Sequence, residues 1–377
     1  MKHCGMDVAQ ESSAICVMSS KGRIDQEVKV ATTPSGLERF FGGKATMRVY
    51  IEAGGQSDWV ARQLEAMGHD PRVIDPGQAR AIGWSKLKND KVDARLLADL
   101  GRADLLVQVH RRRAESEALR RLLVTRAGLV RMRAGLCRQV RAALRQDGVI
   151  LPRVATSDLP QHLRTHGSCP EDLATAVDPL LAVMDEVTRQ VEAIEKQLEG
   201  VAEADPTVRR QVGIPGVGLI VALTYCAVLD TPGRFPDGRR VASYLGLVPS
   251  ENSSGGKQRL GAITKRGNRE VRWLLVQAAH ALMRSKQDTA LRRWGLALAA
   301  RKGKRKAAVA VARKLAVVMW TLWKDEVDYV PFHGSSRRRR GVGQPAVGSA
   351  RRGRHVRVAG KKKTVRRVRR GRSAAHA

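Results

Sequence analysis

Short apolar-rich runs open the chain: Cys4 to Val8, Ser13 to Met18 and Val28 to Thr32, parted by turn residues that include Lys21-Gly22. Runs of that length between turn signals predict β-strands. Pro34 to Phe41 then reads as a helix, Met47 to Ile51 as a strand ended by Glu52, and Asp58 to Met67 as a helix beyond the Gly54-Gly55 break. Arg72 to Ile74 is a further strand, closed by Asp75-Pro76. Leu96, Leu97 and Leu100 recur at helical spacing, so an amphipathic helix starts near Asp90.

That order, consecutive strands first and strand–helix alternation afterwards, is the order of a ribonuclease H-like α/β layer over residues 1–108. Over residues 109–200 the pattern turns helical. Leu119, Leu122, Leu123, Leu129, Val130, Leu136, Val140 and Leu144 form one apolar stripe, decorated by arginines from Arg120 to Arg145. After a loop holding Pro152, Pro160 and Pro170, a helix starts near Pro179, and Leu180, Met184, Val187, Val191, Ile194 and Leu198 lie on a heptad seam. The seam fits an antiparallel hairpin inside one chain or an oligomerising coiled coil, and the arginines suit phosphate.

Residues 201–334 read as a mainly α-helical domain. Ile214-Pro215-Gly216-Val217-Gly218 opens the apolar helix Leu219 to Leu229. A Gly-rich turn there offers backbone N–H groups to an anion, in the manner of a helix-hairpin-helix element, so Gly216 and Gly218 are candidate nucleic-acid contacts. Ser250 to Lys257 is polar and glycine-rich and reads as a loop. Behind Thr264-Lys265-Arg266-Gly267-Asn268 a helix follows with Val271, Leu274, Leu275, Ala278 and Leu282 on one face, and Lys265, Arg266, Arg269 and Arg272 cluster at its start. Ala308 to Trp323 predicts a last packed helix preceded by Lys and Arg. From Ser335 onward no acid occurs, so residues 335–377 are expected to be a disordered polycation.

Charge changes the picture most. The chain of 377 residues holds 69 Lys+Arg against 36 Asp+Glu, a formal net charge of +33. Such an excess points to nucleic acid as partner. No apolar run is long enough to span a bilayer and no signal-peptide core is present, so the expectation is a cytoplasmic, nucleoid-associated protein. Cys4, Cys16, Cys137, Cys169 and Cys226 make no CxxC pair, which argues for a reducing compartment.

Against that basic background a few acids stand out. Asp90 and Asp93 share a face of one helical turn, Asp7 falls in the first strand and Glu52 ends a later one. Adjacent carboxylates repel unless a cation lies between them, and a divalent metal supplies it. Each acid alone has an ordinary alternative: a turn cap, a strand-end surface residue, or a solvated first turn favoured by the helix dipole. Ser254, followed by glycines and by cations at Lys257, Arg259, Lys265 and Arg266, is a candidate nucleophile, or else a plain turn residue.

Taken together, Gly5-Met6-Asp7-Val8-Ala9, Ile51-Glu52-Ala53-Gly54-Gly55 and Asn89-Asp90-Lys91-Val92-Asp93-Ala94 resemble the DEDD motif of the insertion-sequence 110 transposases. Ile214 to Gly218, Leu245-Gly246-Leu247-Val248-Pro249, Ser253-Ser254-Gly255 and Thr264 to Asn268 look like that family's C-terminal domain. The resemblance, over roughly residues 1–330, implies a RuvC-like nuclease domain, a coiled-coil segment and a serine-bearing domain in one homo-oligomeric recombinase, a dimer or tetramer. It implies that Asp7, Glu52, Asp90 and Asp93 hold Mg²⁺ (or Mn²⁺). It implies that Ser254, which precedes Gly255 and keeps the family's offset from Pro249, forms a phosphoserine link to DNA. A structured bridge RNA would pair with donor and target DNA. The long basic tail departs from the family core. A DNA invertase of the same architecture, a junction-resolving nuclease and a non-catalytic nucleic-acid binder are the rival readings.

Overall fold

The computed structural model describes residues 1–77, 90–166, 171–252 and 259–332. The strands expected at the start are present. β1 (Lys2–Asp7), β2 (Ser12–Met18) and β3 (Ile24–Ala31) form an antiparallel meander. β4 (Met47–Glu52) pairs with β1 in parallel and β5 (Asp70–Ile74) with β4, giving a mixed sheet ordered β3-β2-β1-β4-β5. A parallel pair needs a crossover, supplied between β4 and β5 by α2 (Ser57–Ala66). α1 (Pro34–Phe41) precedes β4; Thr33 caps it by accepting from the Gly36 N–H, and Pro34 occupies its first turn.

Successive strand residues face opposite sides. Cys4, Met6, Val49 and Ile51 pack with Leu37, Phe41, Val60 and Leu64 from α1 and α2. The other side is covered by α3 (Asp90–Arg102): Ala94 and Ala98 pack on Ala14 and Cys16, and Leu97 on Tyr50 and Ile74. This approach requires glycine at position 5, where a Cβ would stand 2.0 Å from the Ala94 carbonyl oxygen and 2.6 Å from the Ala98 nitrogen. Gly5→Ala must therefore push α3 off the sheet. Urea unfolding should show a loss of about 1–3 kcal/mol, the usual cost of overpacking.

α4 (Ala114–Gln146) and α6 (Glu171–Ala204) pair as a long antiparallel hairpin, with α5 (Leu159–His166) near its closed end. Arg126 Nε lies 2.7 Å from Glu195, Arg133 bonds Thr188, and Cys137, Val140 and Leu144 share a core with Val177, Leu181 and Met184. The heptad seam is thus buried against α4 of the same chain. The helix also starts earlier than expected and runs through Pro179.

The remaining helices are α7 (Pro206–Val212), α8 (Leu219–Leu229), α9 (Gly238–Tyr244), α10 (Arg269–Arg284), α11 (Ala290–Lys302) and α12 (Lys304–Lys324). α8 is apolar all round and sits in the middle of their core, every residue from Ala222 to Leu229 being buried. Its Tyr225 hydroxyl donates to the Ala316 carbonyl of α12 at 2.6 Å. Among the described residues no helix is long and apolar enough to cross a membrane. Residues 333–377, with the expected disordered tail, lie outside the described residues.

The α/β layer joins this helical core at Asp230. Its backbone is left-handed (φ 67°) and its side chain is fully buried. His110 Nε2 lies 2.7 Å from one carboxylate oxygen; Arg113 donates to the other from Nε (3.2 Å) and from its backbone N–H (3.3 Å). Burial pushes the carboxyl up, but hydrogen bonds from Ser116, His110 and Arg113 outweigh it and hold the pKa at about 2. The folded value lies below the unfolded one, so the stabilisation is present above about pH 4 and is lost as pH falls toward 2. At pH 7 Asp230→Asn should cost about 2 kcal/mol in urea melts, a gap that narrows by pH 3.

Candidate functional site

The sheet register gathers the first two predicted acids. Met6 lies beside Ile51, so the next pair along these parallel strands is Asp7 and Glu52, both half-buried. Lys29, Ala14, Asp7 and Glu52 form one row across β3, β2, β1 and β4. Ala14 packs under Ala94, so the row faces α3. α3 runs back along these strands: the Tyr50 hydroxyl donates to the Gly101 carbonyl at 2.7 Å near the helix end, while Ala94 lies over Gly5. Its first turn, with Asp90 and Asp93, therefore reaches the carboxyl ends of β1 and β4.

The two helix acids lean to different sides. Asp90 precedes Ala94 by one turn, and its carboxylate meets Lys29 Nζ at 3.1 Å; the two side chains are 56% and 55% exposed. So open a pair is worth at most about 1 kcal/mol and does not fix the carboxylate. Asp93 is half-buried and precedes Leu97, which packs on Tyr50 and Ile74 in the strands beside Glu52. Arg95 holds the helix in place through Glu27 on β3, with Nη2 at 2.6 Å. Among the described residues no three His, Cys, Asp or Glu side chains are gathered as a metal-holding group. The structure makes Asp7 and Glu52 row neighbours and brings the first turn of α3 to the same end of the sheet, with Asp90 turned to Lys29; residues 78–89, which lead into α3, lie outside the described residues. The donor set fits a hard divalent ion: carboxylate oxygens on one edge, with a lysine ammonium already against one of them.

The predicted Ser250–Lys257 loop is carried by a hairpin, β6 (Pro249–Glu251) and β7 (Leu260–Ile263), whose last described rung is the Asn252 N–H donating to the Arg259 carbonyl at 3.0 Å. Ser253, Ser254 and Lys257 lie outside the described residues. Lys265 and Arg266 are exposed at the turn after β7; Lys265 has a left-handed backbone (φ 56°), and its N–H donates to the Gly246 carbonyl at 3.1 Å. Arg272, clustered with them in the sequence, points inward: its Nη1 donates to the carbonyls of Leu245 and Arg266 at 3.2 Å, and burial pulls its pKa down. Asn268 caps α10, accepting from Glu270 and Val271 N–H.

Gly216 also has an internal role. Its backbone is left-handed (φ 86°), and a Cβ would meet the Ala278 carbonyl and the Leu282 nitrogen of α10, each at 2.6 Å. Close helix packing is thus a reason for this glycine that stands apart from any phosphate contact. Gly218, exposed at the N-terminus of α8, has nothing within 4 Å of a built Cβ. Sequence reasoning passed over Lys29 and Arg95, whose link to the acids is visible only once β3 is laid beside α3.

Comparison with known proteins gives two family matches. The model described as "Transposase IS116/IS110/IS902 family" matches residues 212–294, and a DEDD-type model described as "Transposase" matches residues 4–147. A "Probable family 20 transposase" of Pseudomonas aeruginosa is 32% identical over 296 residues, covering 75% of this chain and 86% of that protein. The "Transposase for insertion sequence element IS1111A" of Coxiella burnetii is 30% identical over 344 residues, covering 87% and 91%. The "Transposase for insertion sequence element IS1328" of Yersinia enterocolitica is 29% identical over 277 residues, covering 73% and 83%.

Proposed function

The chain belongs to the IS116/IS110/IS902 family of transposases, enzymes that cleave and rejoin DNA, and on that premise we propose how its two halves divide the chemistry. Asp7, Glu52, Asp90 and Asp93 hold Mg²⁺ or Mn²⁺. The observation that carries this assignment is the placement of Asp7 and Glu52 as row neighbours under the first turn of α3. A bound divalent ion supplies charge to the oxygens of a reacting phosphate. Asp90 would exchange its pair with Lys29 for the ion.

Ser254 is the nucleophile. Its Oγ bonds to a DNA phosphorus, one P–O bond of the strand breaks, and the serine proton passes through solvent to the departing deoxyribose oxygen. Attack by the hydroxyl of another strand end reverses the step, so rejoining needs no ATP. Lys257, Lys265, Arg266 and the exposed amides at Gly218 bind the phosphates around it. Because acids and serine come from different parts of the chain, they meet in a homo-oligomer, a dimer or tetramer, and a structured bridge RNA aligns donor and target DNA.

Incubation with end-labelled donor DNA and Mg²⁺, quenched in denaturant, should give a protein–DNA band that proteinase K removes. Cleavage without such a band would favour the junction-nuclease reading. Co-purification of one discrete RNA encoded beside the gene, with recombination lost on its removal, is the expected result for guidance.

A further inference from the structure

The turn between α11 and α12 carries Arg301, Lys302, Lys304, Arg305 and Lys306 around Gly303, and all six residues are exposed. Lys304, Arg305 and Lys306 occupy the first turn of α12, where the helix dipole is positive and cations are disfavoured. That turn holds no acidic residue, and its cap, Gly303, offers no side-chain acceptor. Among the described residues no carboxylate is paired with any of the five cations. Five like charges on six residues repel one another. Arg301 and Lys302 suit the last turn of α11, where Arg301 Nε donates to the Ala297 carbonyl, but the fold gains nothing from Lys304, Arg305 and Lys306: burial begins only at Ala307 and Ala308. The segment also lies past residue 294, where the family match ends.

We propose that this turn is a docking surface for the backbone of duplex DNA, holding the substrate away from the reacting phosphate. The inference rests on DNA being the substrate. The chemistry is that of phosphate: ammonium and guanidinium groups on two helix ends, without a carboxylate to orient a base edge. Paired DNA is favoured over unpaired strands because residues 295–306 contain no aromatic side chain, and binding of unpaired bases relies on stacking. The contact is independent of sequence and fixes register only.

The test compares Lys304→Ala/Arg305→Ala/Lys306→Ala with a control that removes three exposed cations elsewhere, Lys21→Ala/Arg39→Ala/Lys196→Ala. Affinity for a duplex without a recombination site is measured by anisotropy between 50 and 300 mM salt. Each lost phosphate contact lowers the slope of log K against log salt by about 0.9, so the turn variant should lose about 2.7 and bind about 100-fold more weakly near 0.15 M. The control should keep the parent slope. An unchanged slope in the turn variant, an equal fall in the control, or a loss seen on a folded RNA but not on the duplex would overturn the proposal. At 20 mM salt the turn variant should still form the serine adduct. Failure of the parent chain to form one would count against the nucleophile and leave the salt comparison standing.

Discussion

Ser254→Ala should abolish the covalent protein–DNA adduct and lower strand rejoining by at least about 10⁴-fold, the scale on which hydrolases lose rate when their nucleophile is removed. Water cannot stand in for the hydroxyl, because its attack on the same phosphate yields a free end whose bond energy is spent. The fold should be indifferent to the change. Position 254 lies in the connection between β6 and β7, whose described ends are held by the Asn252–Arg259 backbone bond and by Ser250 Oγ donating to the Ala262 carbonyl at 3.0 Å. Thermal melts of the variant should therefore overlay those of the parent. Ser253→Ala is the matched comparison: it keeps the adduct if Ser254 is the attacking residue and loses it if the assignment is one residue off. Adducts persisting in Ser253→Ala/Ser254→Ala would remove the chemistry from these two serines.

What could be read from the sequence depended on how locally each feature is specified. The five strands of the first domain were legible because each holds a short apolar run between turn residues, although β3 showed only from Val28, its first four residues being mostly polar and exposed; their order indicated the sheet class. Asp7 and Glu52 were legible for the same reason: each ends such a run, and the parallel register then makes them neighbours. β6 and β7 were not, since all but one of their residues are exposed and show no apolar alternation. The start of α6 was misplaced because Pro179 signals a helix boundary, whereas packing of Val177 and Leu181 carries the helix across it. The seam beyond it showed a helix with one apolar face. Its partner, α4, is identified only by contacts such as Arg126–Glu195, separated by 69 positions.

A tertiary role for a glycine is hidden in the same way. Glycine before a helix permits close approach, and at Gly216 the backbone of α10 makes one that no local pattern announces. Asp230 drew no notice at all. An acid at the end of an apolar helix looks like a boundary residue, and its partners His110 and Arg113 lie more than a hundred positions earlier. Gly5 likewise had no local signal, although it lets α3, and with it Asp90 and Asp93, reach the sheet.

Asp7→Asn and Glu52→Gln should each lower metal-dependent strand cleavage by on the order of 10³-fold, while Lys29→Ala should tighten metal binding. The first expectation follows from position. The two carboxylates stand on adjacent strands about 4.8 Å apart, so one ion can touch both, and neither amide can replace the charge. Loss of an outer-shell partner costs a metal site about 10–100-fold in affinity, and loss of a direct ligand should exceed that. Titration of Mn²⁺ by electron paramagnetic resonance reads this without any reaction. The second expectation has the opposite sign. Lys29 occupies Asp90 through a half-exposed pair worth under about 1 kcal/mol, so removing it costs the fold little and frees a carboxylate for the ion. A purely structural role for these acids predicts neither sign: Mn²⁺ affinity would then be equally weak in parent, Asp7→Asn and Lys29→Ala. Opposite shifts from two residues of one sheet row require that the row faces the ion.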